Sequence, residues 1–262
     1  MTSSGSISTS HLFPVTIKPV LFFIIVALAL SSCNVAYIPN KHNVPLLEEK
    51  GDASVSISTT NLQGAYAFSD HVAVITNLYF RENNWDDIPD TNNTITSDYH
   101  SNRFLAEAGL GYFKQLGNEG VFEIYGGGGI GNLGFEQIEY NSSLDRTYQA
   151  TISKAFIQPD IGFQTEYFDL VFSTRFSYLG FHNVDTSNYN LRSLEQDKLY
   201  NLDKQAFFFL EPALTLKFGY KFINAYTQAI VATKLNPQRL NYRNFGVNMG
   251  IELDLGEIIY KL

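Results

Sequence analysis

The chain has 262 residues, with 18 Lys and Arg against 26 Asp and Glu, a formal net charge of −8. That acidic balance argues against nucleic acid and against a polybasic membrane-binding patch. A single Cys and five His offer no disulfide framework and no Cys/His metal spacing, while 21 Phe and 16 Tyr with only 17% charged residues weight the composition toward strand formers.

The first predicted element is an export leader. Lys18 precedes the apolar run PVLFFIIVALAL, which leads into Leu30-Ser31-Ser32-Cys33. The run is too short to cross a bilayer as a helix, which takes about 20 residues, but suits the h-region of a secretory signal. The tetrad resembles a bacterial lipobox, which implies removal of residues 1–32 and acylation of Cys33. Cleavage removes only Lys18 from the charged residues. Residues 33–51 carry Pro39 and Pro45 and hold no steady period, so they are expected to be a lipidated tether.

From Asp52 onward the apolar period becomes two, and no window carries a helical stripe. Ten strands are predicted near 52–60, 62–69, 71–81, 103–115, 120–133, 153–166, 168–181, 205–218, 221–233 and 243–256. Strand 1 is the least marked, so eight strands remain an alternative. The last strand is the plainest: Phe245, Val247, Met249, Ile251 and Leu253 share one face, and Gly246, Asn248, Gly250, Glu252 and Asp254 the other. Pro159 falls inside a strand, which predicts a bulge or a rim position there. Within the fifth strand, IYGGGGIGNLGF matches G-x-G-x-x-G, but no helical pattern follows it. The glycines therefore read as allowing a bend or giving room for bulky neighbours, and no cofactor is expected.

Connections alternate between short ones, at Ser69-Asp70-His71, LGNEG, Tyr167-Phe168 and Gly219-Tyr220, and longer polar ones at 81–102, 134–152, 182–204 and 234–242, except that the first outer one, at Asn61, is tight. Short turns on one side and long loops on the other suit a closed outer-membrane barrel, and an even strand number puts both ends of the sheet on the short-turn side. Adjacent aromatics at Tyr79-Phe80, Tyr112-Phe113 and Tyr167-Phe168 suit membrane-water girdles. On the opposite faces from the oily residues lie Glu107, Glu123, Asp160, Glu166, Arg175, Glu211, Lys217, Glu252 and Asp254. These are expected to form a polar network in the lumen, with the two bases pairing some of the seven acids.

With LQGAYAFSDHVAVITNLYF read as a tight hairpin, residues 52–262 resemble the small outer-membrane β-barrel proteins, in a lipobox-bearing variety. The resemblance implies an all-β fold, a closed antiparallel up-and-down transmembrane barrel. It also implies a location in the outer membrane with Cys33 as anchor, and it carries over no catalytic residues. The expected partners are outer-membrane lipid and a protein or surface ligand at loops 81–102, 134–152 and 182–204. The expected role is structural or in interaction, without catalysis and without a metal. Three alternatives stay open: a narrow cation-favouring channel, an outer-membrane hydrolase using His100-Ser101 or His182 with Asp185, and a soluble periplasmic barrel held by its acyl chains.

Overall fold

The computed structural model describes residues 35–86, 97–139, 145–220 and 222–256. The leader, Cys33 and the C-terminal Tyr260-Lys261-Leu262 lie outside the described residues, as do 87–96 and 140–144 of two expected loops. The strands are β1 (Ala53–Ser58), β2 (Asn61–Ala67), β3 (Val72–Asp86), β4 (Ser97–Leu116), β5 (Gly120–Glu139), β6 (Arg146–Gln164), β7 (Phe168–Ser187), β8 (Ala206–Tyr220), β9 (Ile223–Val231), β10 (Thr233–Lys234) and β11 (Phe245–Asp254). Each pairs antiparallel with its neighbours from β1 through to β9, then β9 with β11 and β11 with β1. The sheet therefore closes on itself with ten strands, and β10 is a two-residue continuation of β9 against β8. Among the described residues no helix is long and apolar enough to cross a membrane.

Side-chain alternation puts the oily face outside. Ile57, Leu110, Ile130, Ile157, Phe172, Phe176, Phe218 and Met249 are each about half exposed or more, while their sequence neighbours Ser56, Gly109, Gln158, Ser173, Arg175 and Lys217 are buried. The predicted faces of the last strand, β11, are those found. The aromatic pairs behave differently from expectation, because neighbours in a strand must face opposite ways. Phe80 and Tyr112 point out, but Tyr79 and Phe113 are buried in the lumen. Tyr167 stacks on Tyr220 outside the short-turn end, with ring centroids 5.4 Å apart.

Strand ends at the long-loop side run further than the apolar period does. β3 continues to Asp86, β4 starts at Ser97, β5 reaches Glu139 and β6 starts at Arg146. These extensions keep the hydrogen-bond ladder without an oily face, so hydropathy does not mark them. His100, His182 and Asp185, expected in loops, accordingly lie in strands. The segment expected to be an unstructured loop after β7 holds a short helix, α1 (Leu191–Gln196), capped by the Asn190 side chain accepting from Ser193 N, and a 3-10 turn at Leu202–Lys204. Leu194, Leu199 and Leu202 are buried with Phe181, Phe207 and Phe209, so the segment folds down as a lid on the long-loop end.

Pro159 sits at neither a bulge nor a rim. The register of β6 with β7 is the same at Ile157↔Phe176 and at Asp160↔Ser173, with the two intervening pairs missing; the sheet simply tolerates the absent N–H.

Candidate functional site

The largest departure from the sequence reading is the segment expected to be a tether. Val35–Leu47 is almost wholly buried, and its partners come from strands all round the barrel. The segment is a plug running through the lumen. At the long-loop end Ala36 N donates to Asn241 O, and Tyr37 bridges to Tyr242 in parallel. At the short-turn end Gly51 N donates to Ala67 O, after which the chain turns back into β1. Thirteen extended residues reach about 40 Å, enough to pass the roughly 25 Å apolar band of an outer-membrane barrel.

In its path the plug satisfies the inward-facing polar groups. Asn40 Nδ2 donates to Glu107 Oε2 at 2.5 Å. His42 and Gln228 exchange bonds, His42 N to Gln228 Oε1 at 2.8 Å and Gln228 Nε2 to His42 O at 3.1 Å. His42 Nδ1 also lies 2.7 Å from Ser173 Oγ. Gln158 Nε2 donates to Asn43 O at 2.8 Å, and Leu47 N donates to Glu123 Oε1 at 3.0 Å. Tyr37 donates its hydroxyl to Glu211. Lys41 Nζ sits 3.3 Å over the Tyr226 ring and donates to Ser56 Oγ.

Mid-lumen the barrel's own charges pair. Lys154 Nζ lies 3.2 Å from Glu107 Oε1 and 3.7 Å from Glu211 Oε2, and Arg175 reaches Glu107 Oε2 at 3.5 Å. Arg175 Nε also donates to Gln158 Oε1 at 3.0 Å, and Lys217 pairs with Glu252 at 2.5 Å. Gln158 holds Asp160 Oδ2 at 2.8 Å. Glu107, Glu123, Asp160, Arg175, Glu211, Lys217 and Glu252 are thus all buried in the lumen.

Two expected members are not. Glu166 is exposed in the β6–β7 turn, and Asp254 is half-buried at the short-turn mouth. There they line a cavity of about 850 Å³ with Glu48, Asp52 and Glu119. The two-residue period was carried through a turn in which Thr165 N and Oγ1 both bond Phe168 O, and that turn ends the alternation. Conversely, the sequence reading missed Asp169, Lys154, Arg103 and the plug's own Lys41. With these, the buried groups among the described residues are six carboxylates and five cations, not seven and two.

The glycine run of β5 gives room on the lumen side. A Cβ at Gly127 would stand 2.2 Å from Ala108 O and 2.8 Å from the Phe156 ring, and one at Gly129 would stand 2.8 Å from Glu107 Cγ. Gly162 serves the plug itself, a Cβ there meeting Leu46 Cδ2 at 2.4 Å. Interior width grows with strand number, and eight strands are just filled by their own side chains. Ten strands with glycines on the inner wall leave space for one extended chain.

Outside the barrel, Ser153 Oγ lies 2.7 Å from His182 Nε2. Such a pair is the start of an activated nucleophile, but among the described residues no acid orients the other ring nitrogen. His100 and Ser101 are consecutive residues of β4 and so face opposite sides of the sheet. Among the described residues no group of three or more His, Cys, Asp or Glu is placed to hold a metal. No family model matches the chain, and no curated protein matches it.

Proposed function

We propose that the chain is an outer-membrane β-barrel lipoprotein, plugged by its own N-terminal segment, with a structural or interaction role through its long-loop end. One observation carries the reading. A closed ten-stranded sheet turns a belt of Phe, Ile, Leu and Tyr outward while its charges are enclosed, Lys154, Arg175 and Lys217 pairing with Glu107, Glu211 and Glu252. A water-soluble barrel has no reason to expose such a belt, whereas a bilayer requires it. Fractionation with heat-modifiable gel mobility is the test. The expected result is an outer-membrane band whose mobility changes on boiling; a soluble product with unchanged mobility overturns the reading and leaves a periplasmic barrel held by its acyl chains.

Anchoring at Cys33 belongs to the same proposal, with its side revised. Val35, whose carbonyl accepts from Arg103 NH2 at 2.7 Å, lies at the long-loop end. Two residues reach at most about 7 Å, so acyl chains on Cys33 would enter the leaflet on the loop side, not the short-turn side that β1 alone suggests. Palmitate incorporation is expected in wild type and lost in Cys33→Ala. An epitope placed directly after Asn34 is expected to bind antibody on intact cells, whereas one in the Asn118 turn binds only after permeabilisation. The reverse pattern overturns the sidedness.

A conducting lumen is disfavoured, since the plug occupies it and the buried charge is nearly balanced. The hydrolase reading keeps one supporting observation, the Ser153–His182 pair. A phospholipid-release assay comparing wild type with Ser153→Ala decides it, and equal release ends it.

A further inference from the structure

At the long-loop mouth three arginines gather, and among the described residues none of them forms an ion pair. Arg81 on β3 and Arg103 on β4 are direct cross-strand partners, and both follow the inward parity of Tyr79 and Leu105. Like charges directly opposite in a ladder are destabilising. Arg243 joins them by donating its backbone N–H to Tyr37 O, and the three act on one another and on the Tyr79 hydroxyl electrostatically. Among the described residues none of the three has a carboxylate at ion-pair distance. Their own bonds are to neutral acceptors: Arg81 Nε to Asn83 Oδ1 at 3.1 Å, and Arg103 to Ser101 Oγ and Val35 O. Arg103 is buried to more than nine-tenths, and its Nε has no partner. Beside the cluster is a cavity of about 390 Å³ lined by Arg81, Arg243, Tyr79, Thr60, Asn83 and Asn248. Glu82 also lines it, but from the outward parity of β3.

We propose that this mouth is an anion site for a phosphate group, held by Arg81 and Arg243 in the cavity, with the buried charge of Arg103 behind them. A single carboxylate balances three guanidinium groups poorly. A phosphate carries up to two charges and three acceptor oxygens, and it accepts paired N–H bonds from the planar guanidinium fork. The phosphate comes either from free solute or from the headgroup of a phosphorylated glycolipid at the barrel rim. The site rests on strand pairing and charge, so its failure leaves the membrane assignment untouched.

The test is calorimetric titration of the purified full-length mature protein in detergent micelles, once with inorganic phosphate and once with a phosphorylated glycolipid. Saturable binding is expected, weakened about tenfold or more in Arg81→Gln and in Arg243→Gln, the scale of one charged hydrogen bond. Arg239→Gln, at an exposed loop position, leaves it unchanged. Heat-modifiable mobility confirms that each variant is folded; Arg103→Gln is avoided because that side chain also holds the plug. Titration by glycolipid alone assigns the phosphate to a lipid, and titration by inorganic phosphate assigns it to solute. Chloride binding as tightly as phosphate, or variants binding as tightly as wild type, overturns the proposal.

Discussion

Glu107 shows how much a single lumen side chain carries. It takes Lys154 on one oxygen and Arg175 with Asn40 on the other. Removing it leaves Arg175 without an acid and Lys154 with Glu211 alone, and breaking a buried pair costs about 3–5 kcal/mol. Glu107→Ala is therefore expected to lower the midpoint of urea unfolding far more than Glu166→Ala, at the exposed turn. Equal shifts would mean that the lumen is hydrated and the network is not a stability element. The glycines divide in the same way. Gly127→Ala drives a methyl into backbone and ring, and overpacking of this kind costs about 1–3 kcal/mol. Gly126→Ala, on the outer face with nothing within 4 Å, is expected to be close to neutral in the same assay. At this level the inward carboxylates and both glycine faces were readable from parity. Lys154 was not singled out, and Glu166 was misassigned because parity was extended past the last ladder pair.

The plug is the element that hydropathy missed, and the reason is physical. A strand half in water and half in a core alternates, but a segment enclosed by the barrel wall on every side, polar groups and hydrophobic clusters alike, has no solvent face and so no period. Its prolines and asparagines then look like linker chemistry. One signal did exist: seven inward acids against two bases left a surplus that could not remain buried unpaired. Lys154 supplies one missing cation, and from the plug Asn40, Tyr37 and the Leu47 N–H bond Glu107, Glu211 and Glu123. Replacing residues 35–47 with a Gly-Ser stretch is expected to turn a silent barrel into one with discrete planar-bilayer steps. Wild type with steps of the same size would show that the segment does not close the lumen. A double variant, Tyr37→Cys with Tyr242→Cys, is expected to cross-link under oxidation, because the two residues bridge at the loop end. Failure of that bond to form would place the N-terminal segment elsewhere.

For the molecule as a whole, the outer belt and the enclosed charges are two sides of one alternation. The ring closes between β1 and β11 at Val55↔Leu253, leaving no free edge among its ten strands. That closure lets the sheet sit in hydrocarbon with no strand edge exposed. An aspartate at Phe172, in the centre of the belt, is expected to lower the outer-membrane yield sharply, whereas Ser173→Asp on the lumen side disturbs the His42 contact instead. Similar losses in both would argue against a lipid-facing belt.

Strand faces and the alternation of short and long connections follow from amino-acid order, because period two is a local consequence of the pleat and each strand records its own two environments; the count of ten rather than eight is set by closure. What fills the barrel, which end the N-terminal segment comes from, and which charges pair follow only from closure. Those relations join residues such as His42 and Gln228, 186 positions apart, and no local pattern encodes a partner that distant.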